Sequence, residues 1–449
     1  MSILRIALKL HCVPKFEPDA EIGENSSFRS GTISDVGGYI MTVTPLENLL
    51  QQKLDKLKAT GVCKGREKVI TGIKPAAGKN GPRYFLAGYG EKAFLRLNSN
   101  SYLGLSLGAE VIAAEEAAAR QFGAGPGAVR FISGTYSPHV ELEKKLAAFH
   151  KREAAMIFSS AYAAVMGVIT PLIDDETIII SDELNHNCII NAIRLARPKE
   201  KHIYRHLDMA DMEEKIRKSL GRGRRVLIVT DGIFSMRGDC APLDAIGAIA
   251  AQYEPQFEDG VNTIVDDSHG VGAFGQTGRG TEEYTRAQGI DMIVATLGKA
   301  LGVNGGYIVS SATIVEYLRE TAPFYIYSNP ITPAEAGAAI KALEIIDSEQ
   351  GKQLLERLRR LTRRFEQGLV DLGYEIIASE HPIVPLMIRD TRKTSQLVDY
   401  LTAGGILATG LNYPVVPKGD EEIRFQIAAD HTEGDIDYVL EVLKRFKGQ

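Results

Sequence analysis

The feature that most constrains the fold of this chain is a succession of five short apolar runs, each closed by polar residues: "AAMIFSS" (154–160), "ETIIISD" (176–182), "RRVLIVTDG" (224–232), "VNTIVDDSHG" (261–270) and "DMIVATLG" (291–298). Runs rich in Ile and Val, bounded by turns and separated by helix-length stretches, are strands of a parallel or mixed sheet covered by helices. The expected class is therefore α/β. The runs end in Ser159-Ser160, Ser181-Asp182, Thr230-Asp231, Asp266-Asp267 and Thr296, and ligands in open α/β sheets gather at the carboxyl ends of strands. These ends mark one candidate site.

The rest of the chain divides around this block. Residues 1–45 read as irregular; a helix is expected from about Pro45 to Thr60, where Leu46, Leu49, Leu50, Leu54 and Leu57 recur at helical spacing. A Gly/Pro/Lys-rich connector, "GIKPAAGKNGPRY", follows. After Pro330 a long helical stretch precedes short strand-like pieces, "EIIAS", "IVPLMI" and "IRFQIAA". The expected division is an arm, helix and connector over 1–95, a large domain over 96–330 and a smaller α+β domain over 331–449. Arg357, Arg359, Arg360, Arg363 and Arg364, interleaved with leucines, read as a solvated helix face.

Composition excludes several classes. A formal net charge of −5 over 449 residues gives no attraction for nucleic acid. No run approaches the roughly 18 apolar residues of a membrane span. Cys12, Cys63, Cys188 and Cys240 are scattered without a CxxC pair, so neither a disulfide framework nor a metal site is indicated, and a reducing cytoplasm is the simplest compartment. The glycines of "FGAGPGAVRF" follow a helical stretch and lack the spacing of a dinucleotide loop.

One lysine stands out. In "ATLGKALGVNGGY", Lys299 sits among small and apolar neighbours just after a buried run. It reads either as the start of a solvated turn or as a Schiff-base lysine, whose pKa must fall and which apolar surroundings would depress. Asp266 ends the preceding strand with His269 three residues on. Alone, Asp266 fits a turn former; paired with Lys299 it also fits a carboxylate that keeps a pyridinium nitrogen protonated. The two residues make sense as the handles of pyridoxal phosphate.

Six blocks in order, "SSAY", "SDELNHNCIINAIRL", "TDGIFSMRGD", "VDDSHGVGAFGQTGRGTEEY", "TLGKALG" and "YPVVPKGDEEIRFQIAADHT", resemble the successive motifs of the α-oxoamine synthases. These are fold-type I pyridoxal-phosphate enzymes that join an amino acid to an acyl-CoA. The resemblance runs from about residue 95 to the C-terminus. It implies a large domain with a mainly parallel sheet, a small α+β domain and a homodimer. It makes Lys299 the Schiff-base lysine and Asp266 the partner of the ring nitrogen. His269 would bond the ring's phenolic oxygen, and His186 would stack on the ring. The amides of Ala161 and Tyr162 would hold the phosphate with Thr296, Ser235 would lie beside the ring oxygen, and Ser328 would reach a neighbouring subunit's phosphate. Asn100 and Arg424 would hold the substrate carboxylate. "LNHNCII", "GRGTEEY", "YSNPITP" and "PVVPKG" resemble the members that condense glycine with acetyl-CoA or another short acyl-CoA. The rivals are a long-chain member using alanine, a fold-type I aminotransferase and a non-catalytic subunit. Val165 and Ser101 stand where the family has asparagine, which bears on acyl-chain choice.

Overall fold

The computed structural model describes residues 44–60, 67–413 and 415–448. The expectations for residues 1–43 and for Cys63 fall outside them. The chain divides into two units, 1–65 and 66–449. In the first, helix α1 (Pro45–Ala59) begins where expected, because Thr44 and Glu47 form a reciprocal capping box and Pro45 occupies the first turn. Its five leucines are all exposed.

The second unit opens with an antiparallel group, β1 (Ile70–Lys74), β2 (Arg83–Leu86) and β3 (Ala93–Arg96). The connector is thus partly strand. The lysines and glycines that make "GIKPAAGKNGPRY" read as a linker lie on the exposed β1 and in the turn that follows it. Helices α2 (Ala109–Phe122) and α3 (Ser137–Phe149) lead into the main sheet. The "FGAGPGAVRF" segment does follow a helix, α2.

The main sheet contains β4 (Ala154–Phe158), β5 (Thr177–Asp182), β6 (Glu200–Tyr204), β7 (Arg225–Asp231), β8 (Val261–Asp266), β9 (Met292–Thr296) and β10 (Gly306–Ser310), in the order β4-β10-β9-β8-β7-β5-β6. Strands β5 to β9 pair in parallel, and β10 runs antiparallel between β4 and β9. All five expected runs are strands of this one sheet. Each is almost wholly buried, which explains why they read as continuous apolar runs rather than alternating ones. Helix α4 (Ala161–Ile169) leaves the end of β4, and α5 (Asn187–Ala196) follows β5.

The C-terminal stretch is two helices rather than one. Pro333–Ile346 ends at Asp347, and Ser348 caps Glu349–Asp371 by accepting from Gly351 N–H. A four-stranded sheet, β11 (Glu375–Ile376), β12 (Ile383–Met387), β14 (Thr409–Leu411) and β15 (Glu422–Gln426), contains the three expected pieces. The short β13 (Ile406–Leu407) pairs in parallel with β3, so the boundary expected at 95/96 falls within a strand that the C-terminal region completes. The arginine row is only partly a solvated face. Arg364 makes a fork of 2.8 and 2.9 Å to Asp437 on the last helix, and Arg357 donates to His431 O at 2.7 Å. Among the described residues no helix is long and apolar enough to cross a membrane.

Candidate active site

A cavity of about 290 Å³ opens at the carboxyl ends of β7, β8 and β9, lined by Ala161, Tyr162, His186, Cys188, Asp231, Ile233, Ser235, Asp266, Ser268, His269, Thr296 and Lys299. Eight of the eleven residues expected from the sequence are in that wall. Sheet topology brings them together: β8 and β9 are neighbours, and α4 and α5 begin beside the same edge.

Lys299 lies in the turn after β9. Burial pulls its ammonium from the free-lysine 10.5 down to about 8, against the raising pull of Asp266 and Asp231. The neutral amine is thus reached far more readily than in a free lysine, although the ammonium still predominates at pH 7. The turn must pass close to Ser106, since a Cβ on Gly302 would lie 2.5 Å from Ser106 N, and Gly302 has φ +75°.

Asp266 is buried at the end of β8, where one carboxylate oxygen accepts from Ser268 N–H at 3.1 Å. It is the turn former that the sequence allows, and its other oxygen, Oδ2, lies 3.7 Å from Cys188 Sγ. Beside it on β7 stands Asp231, register-paired with Asp266. Asp231 accepts from His186 N–H at 3.0 Å, while its own N–H donates to Asn185 at 2.8 Å. Burial first, and Asp266 second, push the Asp231 carboxyl well above the usual range.

His269 is held by a residue the sequence reading missed. Tyr102 Oη lies 2.7 Å from His269 Nδ1. Burial raises the Tyr102 phenol and drives His269 well below its ordinary value, so the neutral phenol donates to Nδ1 and the imidazole carries its proton on Nε2. His186 is the N-cap of α5, and its Nδ1 accepts from Cys188 N–H at 3.3 Å. That fixes its proton on Nε2 as well, and burial lowers its pKa.

Ser160 caps α4 by accepting from Ala163 N–H at 3.1 Å, leaving the amides of Ala161 and Tyr162 without helical partners, an arrangement suited to an anion. Strand β10 crosses so closely that a Cβ on Gly306 would sit 2.3 Å from Ala161 N. Thr296 Oγ1 accepts from Gly298 N–H at 3.0 Å and lies 3.2 Å from Gly305 O, which it reaches as donor.

Asn100 and Arg424 are outside the cavity wall but joined to it. Arg424 Nη2 lies 3.4 Å from Asn100 Oδ1, the Gln426 amide lies 2.8 Å from Arg424 Nη1 and 2.9 Å from Asn100 Oδ1, and Tyr102 Oη lies 3.4 Å from Asn100 Oδ1. Arg424 Nε is buried without a partner among the described residues. Ser328 is not in the cavity wall; its hydroxyl is 3.5 Å from Asn329 O. Val165 is buried in the core packed beneath α4, and Ser101 faces Ser106 at 3.2 Å. Neither replaced asparagine position touches the cavity. The residues missed in the sequence are Tyr102, Cys188, Asp231 and Ser268. Asp231 is legible as a polar strand end; nothing in the pattern distinguishes the other three.

The donor set fits pyridoxal phosphate on the structure's own terms. A capped helix offers free amides for a phosphate, a desolvated lysine faces the cavity, a buried carboxylate lines it too, and Ser268 Oγ is buried without a partner among the described residues. Comparison with known proteins agrees. The family described as aminotransferase class I and II matches residues 92–443. A high-resolution structure of SPT with PLP superposes with a TM-score of 0.79 at 27% identity, covering 89% of this chain and 96% of that one. The chain belongs to the aminotransferase class I and II family, with the fold-type I architecture and pyridoxal phosphate as cofactor.

Its relatives narrow the class further. 2-Amino-3-ketobutyrate coenzyme A ligase, mitochondrial, from Bos taurus is 40% identical over 88% of this chain and 91% of that protein. 8-Amino-7-oxononanoate synthase 1 from Bacillus velezensis is 39% identical over 88% of this chain and 96% of that protein. It is an α-oxoamine synthase, a pyridoxal-phosphate-dependent acyltransferase.

Proposed function

We propose that this enzyme condenses glycine with acetyl-CoA or another short acyl-CoA, releasing CoA and a 2-amino-3-oxo acid that keeps its carboxylate, as a cytoplasmic homodimer. The observation that carries the amino-acid half is the Arg424–Asn100–Gln426 cluster. Its buried, unpartnered guanidinium Nε supplies a forked carboxylate site, and its neighbours Tyr102 and His269 are polar.

When bound, the cofactor supplies an aldehyde that captures amines and a ring that stabilises negative charge at the amino acid's α-carbon. Lys299 would hold the cofactor's aldehyde and, as a neutral amine, would serve as the base toward the amino acid's Cα proton. Asp266 would keep a proton on the ring nitrogen, His186 would cover one ring face, and His269 Nε2–H, oriented by Tyr102, would donate to the ring oxygen with Ser235 beside it. Ala161, Tyr162 and Thr296 would hold the phosphate, and Ser328 would serve the site of the second subunit. The condensation these residues would support joins the amino acid's α-carbon to the thioester carbonyl carbon with loss of the C–S bond and release of CoA.

The similarity of this chain to an 8-amino-7-oxononanoate synthase over 88% of its length favours a second reading, alanine with a long acyl thioester. An assay of CoA release with glycine, alanine and serine against short and long acyl-CoAs tests both. Preference for glycine and acetyl-CoA is expected; preference for alanine and a long chain overturns the first reading in favour of the second.

A further inference from the structure

The side of the cavity that faces Asp266 contains a thiol that the proposed reaction does not use. Cys188 is 2% exposed, one residue into α5, and its Sγ lies 3.7 Å from Asp266 Oδ2 and 2.9 Å from His186 Nδ1. It therefore touches the two side chains that bracket the ring: the carboxylate at its nitrogen and the imidazole over its face. The two contacts are not equivalent. His186 Nδ1 already accepts from the Cys188 amide, and Asp266 Oδ1 already accepts from Ser268 N–H. Asp266 Oδ2 has the thiol as its hydrogen-bond donor among the described residues. A second carboxyl, Asp231, stands across the strand pair. Burial, Asp266 and Asp231 all hold the thiol protonated, as a donor must be.

We infer that Cys188 is a positioning residue for the cofactor: its thiol donates to Asp266 Oδ2 while packing against His186 Nδ1, and so fixes the ring-nitrogen partner and the stacking imidazole relative to each other. The inference rests on the reading that Asp266 meets the ring nitrogen. A hydroxyl at this position can still donate to Asp266; a methyl cannot. The rotamer of Asp266 is then held by Ser268 N–H alone, and the aimed oxygen is free to swing toward Asp231.

The test compares Cys188→Ala and Cys188→Ser with the parent. For Cys188→Ala the expected result is a threefold or greater rise in the cofactor dissociation constant measured on the apoprotein. A shifted pH midpoint of the bound cofactor's visible band should accompany it, with kcat three- to tenfold lower at an amino-acid KM within twofold. Cys188→Ser should recover all of these to within twofold. A further readout needs no cofactor: alkylation of Cys188 in the apoprotein by iodoacetamide at pH 9, followed by peptide mass mapping with Cys240 as internal reference. Asp266→Asn should accelerate it at least fivefold. An alanine variant matching the parent in affinity and band overturns the inference. So does equal loss in the alanine and serine variants, or unchanged alkylation in Asp266→Asn. If Asp266→Asn itself leaves the band and its pH midpoint untouched, the Asp266 reading fails instead.

Discussion

Asp231 and Asp266 lie opposite each other in register on the parallel strands β7 and β8, two buried carboxylates facing one cavity. Two such groups do not ionise with equal ease, because each charge raises the cost of the other. Asp231 is the one pushed up. It is also the one whose work, accepting from His186 N–H, a neutral group can do.

The two residues should therefore respond differently to the same isosteric change. Asp231→Asn mimics a neutral carboxyl and should keep turnover within about threefold of the parent. On the proposed role, Asp266→Asn would remove the charge partner of the ring nitrogen and should cost on the order of 10²-fold in kcat with cofactor still bound. Steady-state rates and the cofactor absorbance of both variants check this. Equal losses would show that Asp231 is ionised and shares the role.

Lys299 sets a pH dependence with a definite sign. Its folded-state pKa of about 8 lies below the free value of 10.5, so between those values the unfolded chain binds more protons and folding stability rises with pH. Below pH 8 the buried charge is a constant penalty of about 3 kcal/mol, from about 1.36 kcal/mol per pH unit over the shift from 10.5 to about 8. Apoprotein carrying Lys299→Met should be more stable than the parent at pH 7, and the difference should shrink toward pH 10. Urea unfolding at pH 7, 8.5 and 10 measures it. In the cofactor-loaded parent, borohydride should fix the cofactor to Lys299, and no adduct should form in Lys299→Ala.

How far the sequence reveals this molecule depends on what each residue's environment writes into the pattern. The five runs that form β4, β5, β7, β8 and β9 are legible because both faces are buried, even in β4 at one end of the sheet, and only apolar residues survive there. Strand β6, "EKHIY", at the other end, is half exposed along its length with Glu200 paired to Arg222, so it has no such signature. Strand β10 is buried, but apolarity carries no information on direction, and its antiparallel run is set by the chain's path from Lys299. The cofactor-facing residues are legible through motif order rather than spacing. Tyr102 and Cys188 are not, because a tyrosine or cysteine that orients a neighbour looks like any core residue until the neighbour is in place.

Gly306 provides a test of the anion site that avoids every titrating group. A methyl there would lie 2.3 Å from Ala161 N and 2.4 Å from Ala161 Cα, which is possible only if the start of α4 moves. Gly306→Ala should weaken cofactor binding at least tenfold and cost about 1–3 kcal/mol of stability through overpacking. Inorganic phosphate should protect the parent apoprotein from thermal unfolding and protect the variant less. Parent-like cofactor affinity would mean that Ala161 and Tyr162 do not hold the phosphate.

The proposed carboxylate site at Arg424 would separate amino-acid binding from chemistry. Its planar fork suits a carboxylate in a way an ammonium does not, so Arg424→Lys should raise the amino-acid KM tenfold or more and change kcat much less. The acyl-CoA KM should stay within twofold. A fall confined to kcat would place Arg424 on the acyl side and leave the substrate carboxylate without a partner.

Two positions where this chain departs from the family pattern, Val165 and Ser101, are outside the cavity wall. Val165 is packed into the core, and Ser101 lies 3.2 Å from Ser106. The proposed short-chain preference rests on "PVVPKG" and "YSNPITP" and is tested by acyl-chain competition. Each methylene accommodated in an apolar channel contributes about 0.8 kcal/mol, so a channel built for a long chain would rank hexanoyl- well above acetyl-CoA. Competing the two at fixed glycine should give acetyl-CoA the higher kcat/KM. A reversal of more than about tenfold, equivalent to about 1.4 kcal/mol, would remove the glycine acetyltransferase reading while leaving the α-oxoamine synthase chemistry intact.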